Sequence, residues 1–201
     1  SWLDRPLGLA GRVLVREDNG ISSRLIYIDE DLLLIPSVAI HLNREVNSGY
    51  KFNKQVDLIP LMSSSGYKKG TLDKLIAESK GIRSEDILGR DLYLVNRQEP
   101  VIWGVGHQFV SAPRLDDLEC AFISALSLIR SDNDRAVNVF CCFDNEEVGS
   151  NTKQGAMSTF LSDTLKRINV CLGRDSEGYM RAVSGSFMLS CDNAHAVHPN
   201  H

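Results

Sequence analysis

The sequence predicts an α/β protein, on three observations. The first ninety or so of the 201 residues read as short β-runs broken by turns and one helix. From Asp91 onward, apolar runs alternate with stretches of helical periodicity. Acidic residues then fall just beyond the ends of those apolar runs, where open α/β sheets gather their ligand chemistry.

Taken in order, Ala10–Arg16 and Arg24–Asp29 are β-like runs separated by Glu17-Asp18-Asn19-Gly20, whose Asn-Gly pair is a hairpin signal. Leu32–Ile35 stays apolar until Pro36, and Val56–Leu61 is a further candidate strand. Ser63-Ser64-Ser65-Gly66 and Lys68-Lys69-Gly70 make a polar loop. Leu72, Leu75 and Ile76 give Thr71–Lys80 helical spacing, with Gly81 placed to end the helix. Ser84 with Glu85 and Asp86 reads as a short helix start closed by Gly89. These residues, 1–90, form the β-rich part.

In residues 91–201, Asp91–Asn96 and Gln108–Ser111 read as strands. Residues 116–130 form an amphipathic helix with Leu118, Ala121, Phe122, Ala125 and Ile129 on one stripe. The β-branched and aromatic run 137–143 reads as a buried strand. A helix carrying Leu161, Leu165, Ile168 and Leu172 follows, ending at Gly173. Ser186–Ser190 reads as another buried strand, stopping at Cys191-Asp192.

Composition bounds the partners. A net charge of −4 offers neither nucleic acid nor an anionic membrane an electrostatic reason to bind. No apolar run approaches the roughly 20 residues that span a bilayer. The start, Ser1 to Pro6, lacks the basic region and apolar core of a signal peptide. Five cysteines, odd in number and without CxxC spacing, read as buried free thiols of a reducing compartment, so a cytoplasmic location is expected.

The chemistry concentrates in Asp144-Asn145-Glu146-Glu147-Val148-Gly149-Ser150, directly after the run 137–143. Two adjacent glutamates repel each other unless a cation or a shared proton compensates. A metal hydrolase uses such a pair, one carboxylate on the metal and the other as base. Asp116, in Pro113-Arg114-Leu115-Asp116-Asp117, and Asp192, after 186–190, stand at comparable positions. The competing readings are a solvated acidic turn for the glutamates, a helix cap for Asp116 and a turn residue for Asp192. His195, His198 and His201 follow Asp192, but Pro199 marks a loop, so orienting a ligand suits them better than binding metal. His41 lies in an apolar segment and, by itself, reads as a satisfied buried histidine.

The strings 113–117, 143–150 and Asp192-Asn193-Ala194-His195-Ala196-Val197-His198-Pro199-Asn200 resemble the aspartyl aminopeptidase family of zinc metallopeptidases. Leu9-Ala10-Gly11-Arg12-Val13 and Ile35-Pro36-Ser37-Val38-Ala39-Ile40-His41-Leu42 match in the same order. The resemblance implies a zinc-peptidase-like α/β domain, a mixed sheet with flanking helices, interrupted by a lid or dimerisation domain that residues 1–90 would supply. It implies that Asp116 bridges two zinc ions, that Glu147 and Asp192 each ligate one, and that Glu146 is the general base. Manganese or cobalt would be alternatives. His41 would reach a neighbouring subunit's active site, within a homo-oligomer built through the lid. The substrate would be a peptide with an N-terminal acidic residue.

The family also draws one histidine ligand from upstream of the lid and another from near its carboxyl terminus. Without them, these 201 residues are expected to be an incomplete enzyme, weakly active or inactive alone. The alternative is a non-catalytic oligomerisation or interaction module.

Overall fold

The computed structural model describes residues 3–201, in two compact units that meet between Pro113 and Arg114. Strands β1 (Leu7–Glu17), β2 (Gly20–Leu33) and β3 (Ile87–Asn96) form an antiparallel sheet in the order β2-β1-β3. β1 and β2 are joined by the two-residue turn Asp18-Asn19, since Glu17 pairs with Gly20. The Asn-Gly signal is thus realised.

Alternation along β1 divides the sheet into two faces. Leu7, Leu9, Val13 and Val15 are buried on one of them, together with Ile26 of β2. Helix α1 (Thr71–Lys80) closes this face, with Ile76 fully buried and Gly81 in the left-handed conformation as its cap. Such a cap costs glycine nothing sterically. Arg97 fastens the far end by donating to both Asp29 and Asp31 of β2. A short hairpin, β4 (Val101–Trp103) and β5 (Phe109–Ser111), completes the first unit, with Trp103 stacked on Phe109.

Several expectations change here. Because β3 crosses residue 90 and pairs with β1, the break in the fold falls at 113/114 rather than at 90/91. Gly89 lies inside β3 instead of closing a helical turn, and Ser84–Asp86 is a single 3₁₀ turn. Val56–Leu61 is turn and loop, with only Leu61 bridged to Leu34. β4 was not expected.

The second unit carries α2 (Leu115–Arg130), α3 (Phe160–Cys171) and α4 (Ser176–Ser184). α3 ends as anticipated, with Gly173 left-handed at φ 70°. Helix α4 was unforeseen; Asp175 caps it by accepting from the Gly178 N–H at 2.8 Å. Residues 137–143 and 186–190 are not strands: a run becomes one only when a neighbour supplies ladder hydrogen bonds, and no described residue pairs with them. The expected mixed sheet is therefore not assembled among the described residues. None of the buried hydrophobic residues belongs to this unit, and the α2 stripe residues Leu118, Phe122 and Ile129 are exposed. All five cysteines are free; Cys142, Cys171 and Cys191 are exposed, against the expectation of burial.

Candidate metal centre

The start of α2 departs from helical geometry where its chemistry lies. Arg114 is left-handed at φ 64°, Asp116 (φ −82°, ψ 114°) and Asp117 (φ −112°, ψ 16°) are not helical, and regular turns follow from there. Both carboxylates thus stand at a helix N-terminus, where the helix dipole favours negative charge. Asp192 arrives on the extended run after 186–190. Its Oδ1 accepts from the Asn193 N–H at 2.7 Å, and the Asn193 Nδ2 donates to Glu119 of α2 at 3.1 Å. That second bond fastens the Asp192 segment to α2.

Asp116, Asp117 and Asp192 each present a carboxylate oxygen within 4.8 Å of the others, and all three are solvent-exposed. Beside them, the Asn193 Oδ1 is buried with no hydrogen-bond partner. The sequence reading named Asp116 and Asp192 but gave no role to Asp117. The doubled aspartate is its signal, and the non-helical backbone at Asp116 and Asp117 lets the two adjacent carboxylates converge.

Glu146 and Glu147 sit on a 3₁₀ turn, Glu146–Val148, between left-handed Asn145 (φ 61°) and Gly149 (φ 88°). The surrounding loop closes on itself. The Asp144 N–H donates to the Gln154 carbonyl at 3.1 Å, and Asn145 Nδ2 donates to Thr152 Oγ1 at 3.0 Å. Gly155 is packed so tightly that a Cβ would lie 2.2 Å from the Ser150 carbonyl oxygen.

The carboxylates feel one another. Partial desolvation first, then the charge of Asp192 and a hydrogen bond with it, then Glu147 and Asp117, raise the Asp116 carboxyl above its ordinary range. Glu146 is raised likewise, by desolvation and then by Glu147, Asp192, Asp116 and Asp117. Asp116, Glu146, Glu147 and Asp192 therefore share one negative field, although the two glutamates lie outside the 4.8 Å grouping. Cys120 is pushed up by desolvation and by Asp117, which keeps its thiol protonated.

The histidines do not join. The His198 and His201 rings lie 4.8 Å apart, tilted by 46°, the His198 Nδ1 accepts from the Asn200 N–H, and no histidine belongs to a metal-competent grouping among the described residues. His41 is exposed on a turn in the first unit rather than buried.

Residues 1–201 match the family described as Aminopeptidase I zinc metalloprotease (M18). The chain belongs to the M18 aminopeptidase family. It is 45% identical over 205 residues to the probable M18 family aminopeptidase 2 of Clostridium acetobutylicum, covering 100% of this chain and 47% of that relative. Aspartyl aminopeptidase 1 of Schizosaccharomyces pombe is 37% identical over 228 residues, covering 100% and 48%. Among solved structures, that of the Ape4 and Nbr1 complex matches with a TM-score of 0.82 at 34% identity, over 100% of this chain and 43% of the other. The chain thus spans about half the length of the curated relatives it matches.

The family is a zinc family, and the residues present fit a divalent cation in part. Three close carboxylates with no basic partner in their grouping match its charge, and carboxylate oxygens belong to zinc's ligand repertoire. Zinc's preference for nitrogen is not met by the grouping itself.

Proposed function

We propose that this chain contributes the carboxylate side of a dinuclear metal centre in an aminopeptidase that removes N-terminal acidic residues from peptides. The observation that carries the proposal is the convergence of Asp116, Asp117 and Asp192 within 4.8 Å, with Glu146 in the same field. Asp116, Glu147 and Asp192 would hold the ions, Asp116 between them, and Asp117 stands ready to ligate or to orient Asp116. Zinc is the assigned metal, two ions per chain, with manganese or cobalt as substitutes. A bound dication supplies a more acidic water and a polarised scissile carbonyl.

Glu146 is the general base. Its carboxyl is already raised by desolvation and by neighbouring charge, which favours taking up a proton. It removes the proton of the attacking water and returns it to the leaving amine. The left-handed residues on either side hold the turn that presents it. His41 is assigned as a catalytic group at the active site of a second copy, in a cytoplasmic homo-oligomer assembled through the first unit. Among the described residues, no helix is long and apolar enough to cross a membrane. The acidic preference is supported by the 37% identity to an aspartyl aminopeptidase.

Hydrolysis of chromogenic substrates bearing N-terminal Asp or Glu, with zinc, manganese or cobalt added, tests the reading. The chain alone should turn over slowly, since its carboxylate grouping includes no imidazole. A polypeptide that binds no divalent ion at all would leave only the alternative, an assembly module.

A further inference from the structure

Asn193 reaches both sides of the carboxylate grouping. Its backbone N–H donates to the Asp192 Oδ1 at 2.7 Å, and its side-chain Nδ2 donates to the Glu119 Oε2 at 3.1 Å. Glu119 follows Asp117 closely, where α2 has become regular, and stands outside the grouping of Asp116, Asp117 and Asp192. Asp192 is thus linked, through Asn193 and Glu119, to the helix that carries the other two aspartates. The chemistry of the contact also fixes how the amide faces. An ionised carboxylate only accepts, so the amide nitrogen must turn toward Glu119. The amide oxygen is then buried with no donor among the described residues. An unpaired buried acceptor is unfavourable, so this side chain adds no stability that an apolar one of its shape would lack. What the bond supplies is direction: it sets the Asn193 peptide, whose N–H in turn aims the Asp192 carboxylate.

We infer that Asn193 and Glu119 are a positioning pair, which holds Asp192 against Asp116 and Asp117 at the spacing a divalent ion needs. The inference rests on the reading of these carboxylates as a metal site, and deepens it by naming what sets their distance. Neither Asn193 nor Glu119 ligates the ion. The run that leads into Asp192 pairs with no strand among the described residues, so the bond to Glu119 takes over the placing that a sheet would otherwise provide. Like charges within 4.8 Å of one another also repel. Without the tether Asp192 would swing outward, and binding an ion would first have to order its segment.

Manganese binding to the 201-residue chain, followed by the electron paramagnetic resonance of the free ion, tests this. Manganese suits oxygen ligands and avoids the exposed thiols of Cys142, Cys171 and Cys191. Asn193→Leu and Glu119→Ala should each weaken binding about 10–100-fold, the usual effect of losing an outer-shell partner. Glu119→Gln removes the same charge but keeps an acceptor for Nδ2, so it should stay within about threefold of the wild type. The double variant Asn193→Leu/Glu119→Ala should bind no more weakly than either single one, because both remove the same bond. Thermal unfolding followed by circular dichroism should find Asn193→Leu as stable as the wild type, which separates positioning from folding. In the metal-free chain, amide exchange across residues 191–194 should quicken in Asn193→Leu and Glu119→Ala but not in Glu119→Gln. Unchanged affinity or unchanged exchange in Asn193→Leu, or a loss in Glu119→Gln as large as in Glu119→Ala, would overturn the inference and leave the metal site standing. A wild-type chain that takes up no manganese would overturn the metal reading and the inference with it.

Discussion

Replacing Ile76 by alanine probes what holds the first unit together. Ile76 is fully buried and is the residue through which α1 enters the cluster of Leu7, Leu9, Val13, Val15, Ile26, Leu33 and Ile35. Loss of three carbons removes about 2.4 kcal/mol of transfer free energy at ~0.8 kcal/mol each. The cavity left between a helix and a three-stranded sheet cannot close fully, which brings the cost to about 3–4 kcal/mol. Both tryptophans precede Pro113, so fluorescence during urea denaturation reports on this unit. With a slope of about 1–2 kcal/mol per molar, the midpoint should fall by roughly 2 M while the slope holds. Ile129→Ala, on the exposed stripe of α2, is the control and should cost under about 0.5 kcal/mol. A loss below about 1 kcal/mol for Ile76→Ala would refute the assignment of the core.

Other outcomes follow from single features. Gly11→Ala meets the Asp91 carbonyl oxygen at 2.1 Å and needs a φ of 145°, so it should cost at least about 2 kcal/mol and expose β1–β3 amides to hydrogen exchange. The Asp4 carboxyl is held below its ordinary range, first by the Ser37 backbone N–H and then by the Ser37 side chain. With the folded value depressed, this stabilisation is present above the unfolded value near 4 and is lost as pH falls through the folded one. Asp4→Asn should therefore flatten the acid limb of a stability profile and leave its dependence near neutrality unchanged. For the proposed centre, Glu146→Gln should keep the ion content and lower hydrolysis about 100-fold or more. Asp116→Asn and Asp192→Asn should reduce the ion content itself, read by elemental analysis after dialysis.

The elements legible in the sequence are those specified by local chemistry. Asp18-Asn19-Gly20 announced the hairpin, Gly81 and Gly173 marked the ends of α1 and α3, and the apolar stripe of α2 gave its length. Elements that depend on distant partners were misread. Residues 137–143 and 186–190 have strand composition, but composition does not provide the neighbour that completes a ladder. Residues 91–96 were placed in the second half because nothing local reveals that they pair with β1, some eighty positions earlier. Helix α4 did carry a signal, Asp175 before Ser176 and Glu177 with Tyr179, Met180 and Val183 at helical spacing, overshadowed by the β-rich run after it. At the site, strand-end logic found Asp116 and Asp192 together; Asp117 needed the kink, which no periodicity encodes.

The packing of the two units is unequal, since every buried hydrophobic residue precedes Arg114. Amides in the unit that carries the aspartates should thus exchange with solvent through small, frequent openings, while those of β1 wait for global unfolding. An ion gripped by Asp116 and Asp192 would tie the head of α2 to a segment more than seventy residues away, and would slow that exchange in proportion to its occupancy. In this half of the molecule, ligation and conformational order become a single equilibrium.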